Sequence, residues 1–223
     1  MPRYRRWIWW VCWAIVMLIR PLFCRLQIIG RENLPEESGA VVASNHNYGP
    51  DFILLAIASP RELCFMAKAE VFRWHPVLAA VLRSFGVFPV HRGKGDSVAI
   101  DTAVELAREG NLIAMFPEGT RSKTGTLMRG KSGAARIALA ADVPIVPTAV
   151  TNSTKVFKHL PWQRPLVTVQ FGKPLHWHIG SHSADDEGEA ARSYMDAVMG
   201  EIALMLPEEL RGEHGYALPQ DGR

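Results

Sequence analysis

The sequence predicts an α/β fold: a single domain with a largely parallel central sheet flanked by helices, preceded by an N-terminal apolar membrane-associating helix. After residue 25, short apolar runs alternate with stretches of helical periodicity, which is typical of parallel strands joined by helices. No repeat or long linker divides the 223 residues, enough for one large core. Before residue 25, an unbroken apolar run follows several arginines.

The apolar run at residues 7–19 indicates the membrane-associating helix. It carries four of the seven tryptophans and has arginines on both sides. A full span needs about 20 apolar residues, so we expect a helix that lies in or dips into one leaflet. The residues after Arg20 offer no small-residue cleavage site for a signal peptide. A tilted span extending past Arg20 and a buried soluble helix stay open as alternatives.

Seven strands are predicted from apolar runs bounded by turn residues. They cover residues 26–29, 40–43, 63–67, 87–91, 112–116, 145–150 and 166–171. The stretches between and after them predict helices at residues 50–58, 71–85, 96–109, 130–141 and 184–206. Pro76 interrupts the second of these helices. We therefore expect a membrane-associating helix at residues 1–25 and a domain at residues 26–223 that ends in an amphipathic helix.

The net charge and the cysteine content limit the classes of ligand and the cellular compartment that the sequence allows. The formal charge of +3 suits anionic lipid or phosphate ligands but is too weak to indicate a nucleic-acid partner. The three cysteines are scattered and lack metal-ligand spacing, which predicts a reducing compartment and no metal site.

A histidine stands where a strand ends and a helix is expected to begin. If Pro50 takes the first helical position, Asp51 falls in the first turn, close enough to reach back to His46. A carboxylate bonded to one imidazole nitrogen orients the ring and makes the other nitrogen a better base. An isolated pair of this kind would more simply be a helix cap. The rest of the chain favours catalysis.

Two further polar segments follow predicted strand ends. Arg92 follows one strand, and the segment 116–122 (Phe-Pro-Glu-Gly-Thr-Arg-Ser) leaves another. Ligands of α/β sheets bind beyond the carboxyl ends of strands, so one crevice could hold all three sites. Arg92 and Arg121 would offer planar forks to a phosphate, and Gly119 would let the backbone come close. A solvated turn with a Glu118–Arg121 ion pair is the alternative.

Residues 125–132 match the G-x4-G-K-[ST] pattern of a phosphate-binding loop. Such a loop starts directly from a strand, whereas here residues 117–124 lie between the predicted strand and the pattern. We therefore expect no nucleotide-hydrolysing loop. Lys131, at a helix start, could still meet a ligand phosphate.

Taken together, these stretches resemble the glycerolipid acyltransferase family, particularly bacterial 1-acyl-sn-glycerol-3-phosphate acyltransferases. Order and spacing agree from about residue 25 to residue 150. The four matching motifs are N-H-x4-D at Asn45, His46 and Asp51, a glycine-apolar-arginine segment at 86–92, F-P-E-G-T-R-S at 116–122, and V-P-I-V-P at 143–147.

The resemblance implies direct acyl transfer by an acyltransferase domain. His46, oriented by Asp51, would deprotonate the sn-2 hydroxyl of 1-acyl-glycerol 3-phosphate, which attacks an acyl thioester to give phosphatidate. The acceptor phosphate would bind at Arg92, Glu118, Gly119, Thr120 and Arg121. Acyl-CoA or acyl carrier protein would supply the acyl group as co-substrate, with no cofactor or metal. The implied location is the cytoplasmic face of the cell membrane.

The motifs specify the acceptor lipid less closely than the reaction. Tyr48 stands where the family often has serine, Gly49-Pro50 replaces a bulkier pair, and His91 stands where a charged residue is usual. Glycerol 3-phosphate, a lysophospholipid and an amino-acid-based lipid stay open as acceptors. A non-catalytic lipid-binding relative is the alternative from another class, and the intact His46 and Asp51 argue against it.

Overall fold

A computed structural model shows one α/β domain. It describes residues 5–47, 51–68, 70–75, 79, 82, 87–90, 96–122, 124–156, 163–177 and 187–212. Within those ranges the strands are β1 (Arg25–Ile29), β2 (Ala40–Ser44), β3 (Leu63–Lys68), β4 (Phe88–Val90), β5 (Leu112–Met115), β6 (Ile145–Thr151) and β7 (Leu166–Phe171). The α-helices are α1 (Arg5–Ile19), α2 (Asp51–Ala58), α3 (Val71–Trp74), α4 (Asp96–Arg108), α5 (Gly133–Ala141) and α6 (Glu187–Met205).

The described strands form one seven-stranded sheet in the order β1-β7-β6-β2-β5-β3-β4. Strands β2 to β6 run parallel to one another, β7 pairs antiparallel with β6, and β1 is parallel to β7. The carboxyl ends of β2 to β6 therefore lie along one edge of the sheet, called the carboxyl edge below. The prediction of a largely parallel sheet is confirmed.

Helices cover both faces of the sheet, so its central strands are apolar on both sides. Val41 and Ala43 of β2 face a core formed with α4, α5 and α6. Ala40 and Val42 face the opposite core, formed with α2 and the inner side of α1. All five β2 residues are buried. The histidine that follows β2 therefore lies at the end of the central strand of the sheet, which is buried on both faces.

The observed elements begin and end within a few residues of the predicted ones. The exception is the predicted helix at 71–85, of which the structure describes α3 and isolated positions; residues 76–78, 80–81 and 83–86 lie outside the described residues. The helix predicted at 130–141 begins at Gly133, because Lys131 N–H donates to the carbonyl of Pro117 and holds residues 130–132 in a loop.

Among the α1 side chains that the structure describes, those of one side pack against the domain. Trp13, Val16 and Met17 contact the core beside α2. The other side is apolar as well and exposed, with Leu18 at 79% and Ile15 at 52% exposure. Among the described residues, no helix combines the length and apolar character needed to cross a membrane.

Candidate active site

The sheet order brings two of the motif segments together at the carboxyl edge. Strands β2 and β5 are parallel neighbours, with Ala43 opposite Met115. Asn45 and His46 therefore leave the sheet beside Phe116 and Glu118. This adjacency, expected from the shared position after strand ends, is observed.

His46 and Asp51 are hydrogen bonded, with 2.9 Å between His46 Nδ1 and Asp51 Oδ2. The Asn47 N–H donates to the same oxygen at 2.8 Å. Asp51 is the first residue of α2, so its carboxylate also lies at the positive end of a helix. Because a carboxylate only accepts hydrogen bonds, Nδ1 must be the donor, which leaves Nε2 as the acceptor nitrogen of a neutral imidazole.

The two side chains of this pair differ in exposure. A general base must be accessible to its substrate, whereas the group that orients it can be buried. The Asp51 side chain is 1% exposed, whereas that of His46 is 18% exposed. No described residue hydrogen bonds to His46 Nε2. The arrangement can therefore take a proton from a molecule that approaches from outside, while the carboxylate behind the ring stabilises the resulting positive charge.

The turn at 116–122 holds His46 from three directions. The Phe116 ring stacks on the imidazole, with 4.1 Å between ring centres and 19° between planes. The His46 N–H donates to Glu118 Oε1 at 2.7 Å, and Ser122 N–H donates to the His46 carbonyl at 3.0 Å. The ring and the main chain of His46 are thus both fixed by this turn.

Glu118 is a buried side chain and not part of a solvated turn. It is 3% exposed, and its second oxygen, Oε2, accepts from the Met128 N–H at 3.0 Å. Burial raises the pKa of the Glu118 carboxyl, while the bonds from the two amides act in the opposite direction. The alternative of an ion pair with Arg121 is not observed, since both carboxylate oxygens bond to the main chain.

Three other residues of the predicted substrate site lie at the outer side of this turn. Thr120 and Arg121 are exposed, as is Lys131. Gly119 has φ +71°, a conformation that glycine adopts without strain. A methyl group on Gly119 would lie 3.0 Å from Lys131 Nζ, so the lysine ammonium group lies directly over the turn. An anion bound at this turn would meet the Lys131 ammonium group, and Arg121 is a second exposed cationic residue, within the turn itself.

The remaining predicted site residue, Arg92, lies outside the described residues, as do His91, Tyr48, Gly49 and Pro50. Strand β4, which precedes Arg92 in the chain, is at the end of the sheet and pairs with β3. The prediction that Arg92 joins this site stays a prediction.

Residues 125–132 do not have the form of a nucleotide-binding loop. In such a loop, main-chain N–H groups point at phosphates. Here those groups serve the protein itself: Gly125 N–H donates to Ser122 Oγ, Leu127 N–H to the Leu210 carbonyl, and Met128 N–H to Glu118. The segment also starts ten residues after β5 ends at Met115. The expectation that this motif match is incidental agrees with its geometry.

Two supporting residues were not singled out for their structural roles from sequence. Asn45, which is 1% exposed, donates through Nδ2 to the Val150 carbonyl at 3.0 Å and accepts the Val150 N–H through Oδ1 at 2.7 Å. Phe116 supplies the ring stacked on His46. Both are motif residues, but their partners, Val150 and His46, are distant in the sequence, so no local signal reveals these roles.

Comparison with known proteins identifies the family of this chain. A model of the family described as Acyltransferase matches residues 25–151, more than half of the chain. A 1-acyl-sn-glycerol-3-phosphate acyltransferase of Bacillus subtilis is 30% identical over 186 residues, covering 81% of this chain and 88% of that one. One of Borreliella burgdorferi is 30% identical over 135 residues, covering 60% of this chain. The chain spans about half of that relative, 54% of its length.

The fold is also found in a solved structure. The crystal structure of the 1-acyl-sn-glycerophosphate acyltransferase PlsC from Thermotoga maritima matches with a TM-score of 0.65 at 21% identity. The match covers 89% of this chain and 82% of that one. At this identity the likeness concerns the fold.

Proposed function

This chain belongs to the acyltransferase family, and on that premise we propose that it moves a fatty acyl group from an acyl thioester to the free sn-2 hydroxyl of 1-acyl-glycerol 3-phosphate. The product is phosphatidate, a phospholipid precursor. The observation that carries the proposal is the hydrogen-bonded His46–Asp51 pair, with a partly exposed imidazole and a buried carboxylate. The relatives named for this reaction in Bacillus subtilis and Borreliella burgdorferi support the choice of acceptor.

The proposed step is direct transfer between the two substrates. His46 Nε2 takes the proton from the acceptor hydroxyl as its oxygen attacks the thioester carbonyl carbon. The tetrahedral intermediate then expels the thiolate, which leaves with the proton from the imidazolium. Asp51 holds the ring through Nδ1 and stabilises its positive charge between the two proton transfers. General-base assistance of this kind contributes about 10²–10⁴-fold in rate.

The acceptor phosphate is proposed to bind outside the 116–122 turn. Arg121 and Lys131 are proposed to provide the positive charge, and Gly119 and Thr120 to line the turn beside the phosphate. Arg92 is proposed as a further phosphate ligand. Charge-assisted bonds from such side chains are the strongest non-metal contacts available to a phosphate. The acyl group is proposed to come from acyl-CoA or acyl carrier protein.

We also propose that the protein works at the cytoplasmic face of the cell membrane. The outer side of α1 supports this, because an exposed helix side on a water-soluble protein is usually polar. Here that side carries apolar residues and continues into the chain that follows, with Leu22 60% and Phe23 40% exposed. A helix lying in one leaflet would cover this surface and bring the carboxyl edge to lipid substrates.

The test is transfer of a labelled acyl group by purified protein in mixed micelles. The acceptors are 1-acyl-glycerol 3-phosphate, glycerol 3-phosphate, a lysophospholipid and an amino-acid lipid, with acyl-CoA and acyl carrier protein as alternative donors. We expect the highest kcat/KM with 1-acyl-glycerol 3-phosphate. His46→Ala should lower kcat by about 100-fold or more.

A matched histidine elsewhere provides the control. His176 is exposed and adjoins Leu175, which pairs with the first residue of β6, at the opposite edge of the sheet from His46. His176→Ala should keep its activity. Preference for a different acceptor would overturn the substrate assignment, and a His46→Ala variant with more than about a tenth of the wild-type kcat would overturn the base assignment.

A further inference from the structure

Both carboxylate oxygens of Glu118 already accept a main-chain hydrogen bond inside the protein. Its Oε1 accepts from His46 N–H at 2.7 Å and its Oε2 from Met128 N–H at 3.0 Å. The side chain is 3% exposed. A buried carboxylate would moreover repel the phosphate that Arg121 and Lys131 are proposed to hold. A contact with the acceptor, as the family resemblance implied, does not fit this geometry.

The two amides that bond to Glu118 belong to different parts of the proposed site. One is the main-chain N–H of His46, the proposed base. The other belongs to Met128, in the loop that leads to Lys131, whose own N–H donates to the Pro117 carbonyl. The carboxylate therefore connects the turn that carries the base with the loop that carries a phosphate-binding cation. Each oxygen of the carboxylate bonds to one of these two segments.

We propose that Glu118 is a positioning residue, which holds His46 and the 128–131 loop at a constant separation and does not touch the substrate. This inference rests on the proposed function. The Glu118 carboxylate acts through the main chain, while Asp51 acts through the imidazole ring. One of the two Glu118 hydrogen bonds is to the His46 main chain itself, whereas Lys131 lies three residues beyond the other bond, at Met128. Loss of Glu118 should therefore disturb proton transfer more than acceptor binding.

Kinetics separate a positioning residue from a substrate ligand. Glu118→Gln keeps the length of the side chain but offers one accepting oxygen, and its NH₂ group faces a main-chain N–H. We expect kcat to fall about ten- to hundredfold, the effect of losing a charge-assisted hydrogen bond, with KM for 1-acyl-glycerol 3-phosphate changed less than about threefold. Glu105→Gln, an exposed substitution on α4, is the matched control and should equal wild type.

A second measurement does not depend on turnover. An amide proton bonded to a carboxylate resonates downfield of one bonded to a neutral group. In ¹⁵N-labelled full-length protein in micelles, the His46 and Met128 amide protons should both move upfield in Glu118→Gln and stay in place in Glu105→Gln. The chain has eight histidines, so the His46 peak is assigned as the one histidine amide peak that is absent from the His46→Gln variant.

The outcomes distinguish this inference from the proposed function. A Glu118→Gln variant with unchanged kcat and a raised KM for the acceptor would overturn the positioning role. It would show instead that Glu118 contacts the substrate. Unmoved amide peaks would also overturn it. A wild-type protein without acyl transfer would overturn the proposed function, while the amide peaks would still decide whether Glu118 holds His46. If Glu118→Gln does not fold, Glu118→Asp replaces it: the charge remains, the carboxylate is too short to reach both amides, and kcat should again fall at constant KM.

Discussion

The side-chain amide of Asn45 pairs with both main-chain polar groups of Val150. Strand β2 ends at Ser44, whereas its neighbour β6 continues to Thr151. The Asn45 side-chain amide thus makes the two hydrogen bonds to β6 that the main chain of a longer β2 would have made. The main chain itself is then free to turn away from the sheet towards His46. Position 45 needs a side chain that both donates and accepts at this distance, which explains an asparagine immediately before the histidine.

Asn45→Ala should destabilise the protein markedly, because it leaves the buried N–H and C=O of Val150 without partners. At about 1–3 kcal/mol for each of the two unsatisfied groups, we expect a loss of about 2–6 kcal/mol in the free energy of unfolding. Urea denaturation of both proteins measures it. Asn111→Ala is the control, since the Asn111 side chain makes one partly buried bond, to the Leu106 carbonyl. Equal losses in the two variants would contradict the special role of Asn45.

Arg121→Ala should impair use of a phosphorylated acceptor much more than use of the acyl donor. The loss of one charge-assisted bond, about 1.5–3 kcal/mol, corresponds to a ten- to hundredfold decrease in kcat/KM for 1-acyl-glycerol 3-phosphate. Steady-state kinetics with each substrate varied in turn provide the measurement. Arg136→Ala removes an exposed arginine from α5 and should have no such effect. An unchanged kcat/KM in Arg121→Ala would place the phosphate elsewhere.

Leu18→Glu should weaken membrane association without disturbing the fold. Leu18 lies on the outer side of α1, away from the packed residues Trp13, Val16 and Met17. Withdrawing one leucine from lipid costs about 1.5–3 kcal/mol, so partitioning into vesicles should fall about ten- to hundredfold. Flotation with phospholipid vesicles measures this. The control is Leu204→Glu, a leucine 52% exposed on α6, which should float like wild type. Equal flotation of all three proteins would refute the assignment of this surface.

Tyr194 should make stability decline at high pH. Its hydroxyl donates to the Leu175 carbonyl at 2.6 Å and accepts the Ile145 N–H at 3.0 Å, and burial raises the Tyr194 pKa to about 12. Because the ordinary value is lower, the folded state keeps a proton that the unfolded state releases. Its contribution to stability is therefore complete below pH 10 and is lost between pH 10 and 12.

The comparison with Tyr194→Phe isolates this effect. Between about pH 9 and about pH 11, the wild type should lose about 1–1.5 kcal/mol more stability than the variant. Urea denaturation at several pH values measures the two slopes. Parallel slopes would show that the Tyr194 hydroxyl does not titrate differently in the folded protein.

The sequence by itself determined most of the strands and helices and the residues that we propose carry the chemistry. Apolar runs such as residues 40–43 predicted strands, because a strand that is buried on both faces of a sheet consists almost entirely of apolar residues. The spacing of His46 and Asp51 predicted their contact, since five residues across a strand-to-helix turn bring the two side chains within reach. The segment 116–122 was placed at the same edge because parallel strands end together.

Only the tertiary structure decided which strands are neighbours and therefore what supports the site. The order of the strands depends on packing between distant parts of the chain. No local sequence pattern indicates that β5 and β6 are the neighbours of β2. That order gives Asn45 its partner in Val150, stacks Phe116 on His46 and turns Glu118 inward to two amides. From the sequence, Glu118 could have been an exposed residue of a polar turn, paired with Arg121. Its burial follows from contacts with residues 72 positions before it and 10 after it, which sequence spacing cannot reveal.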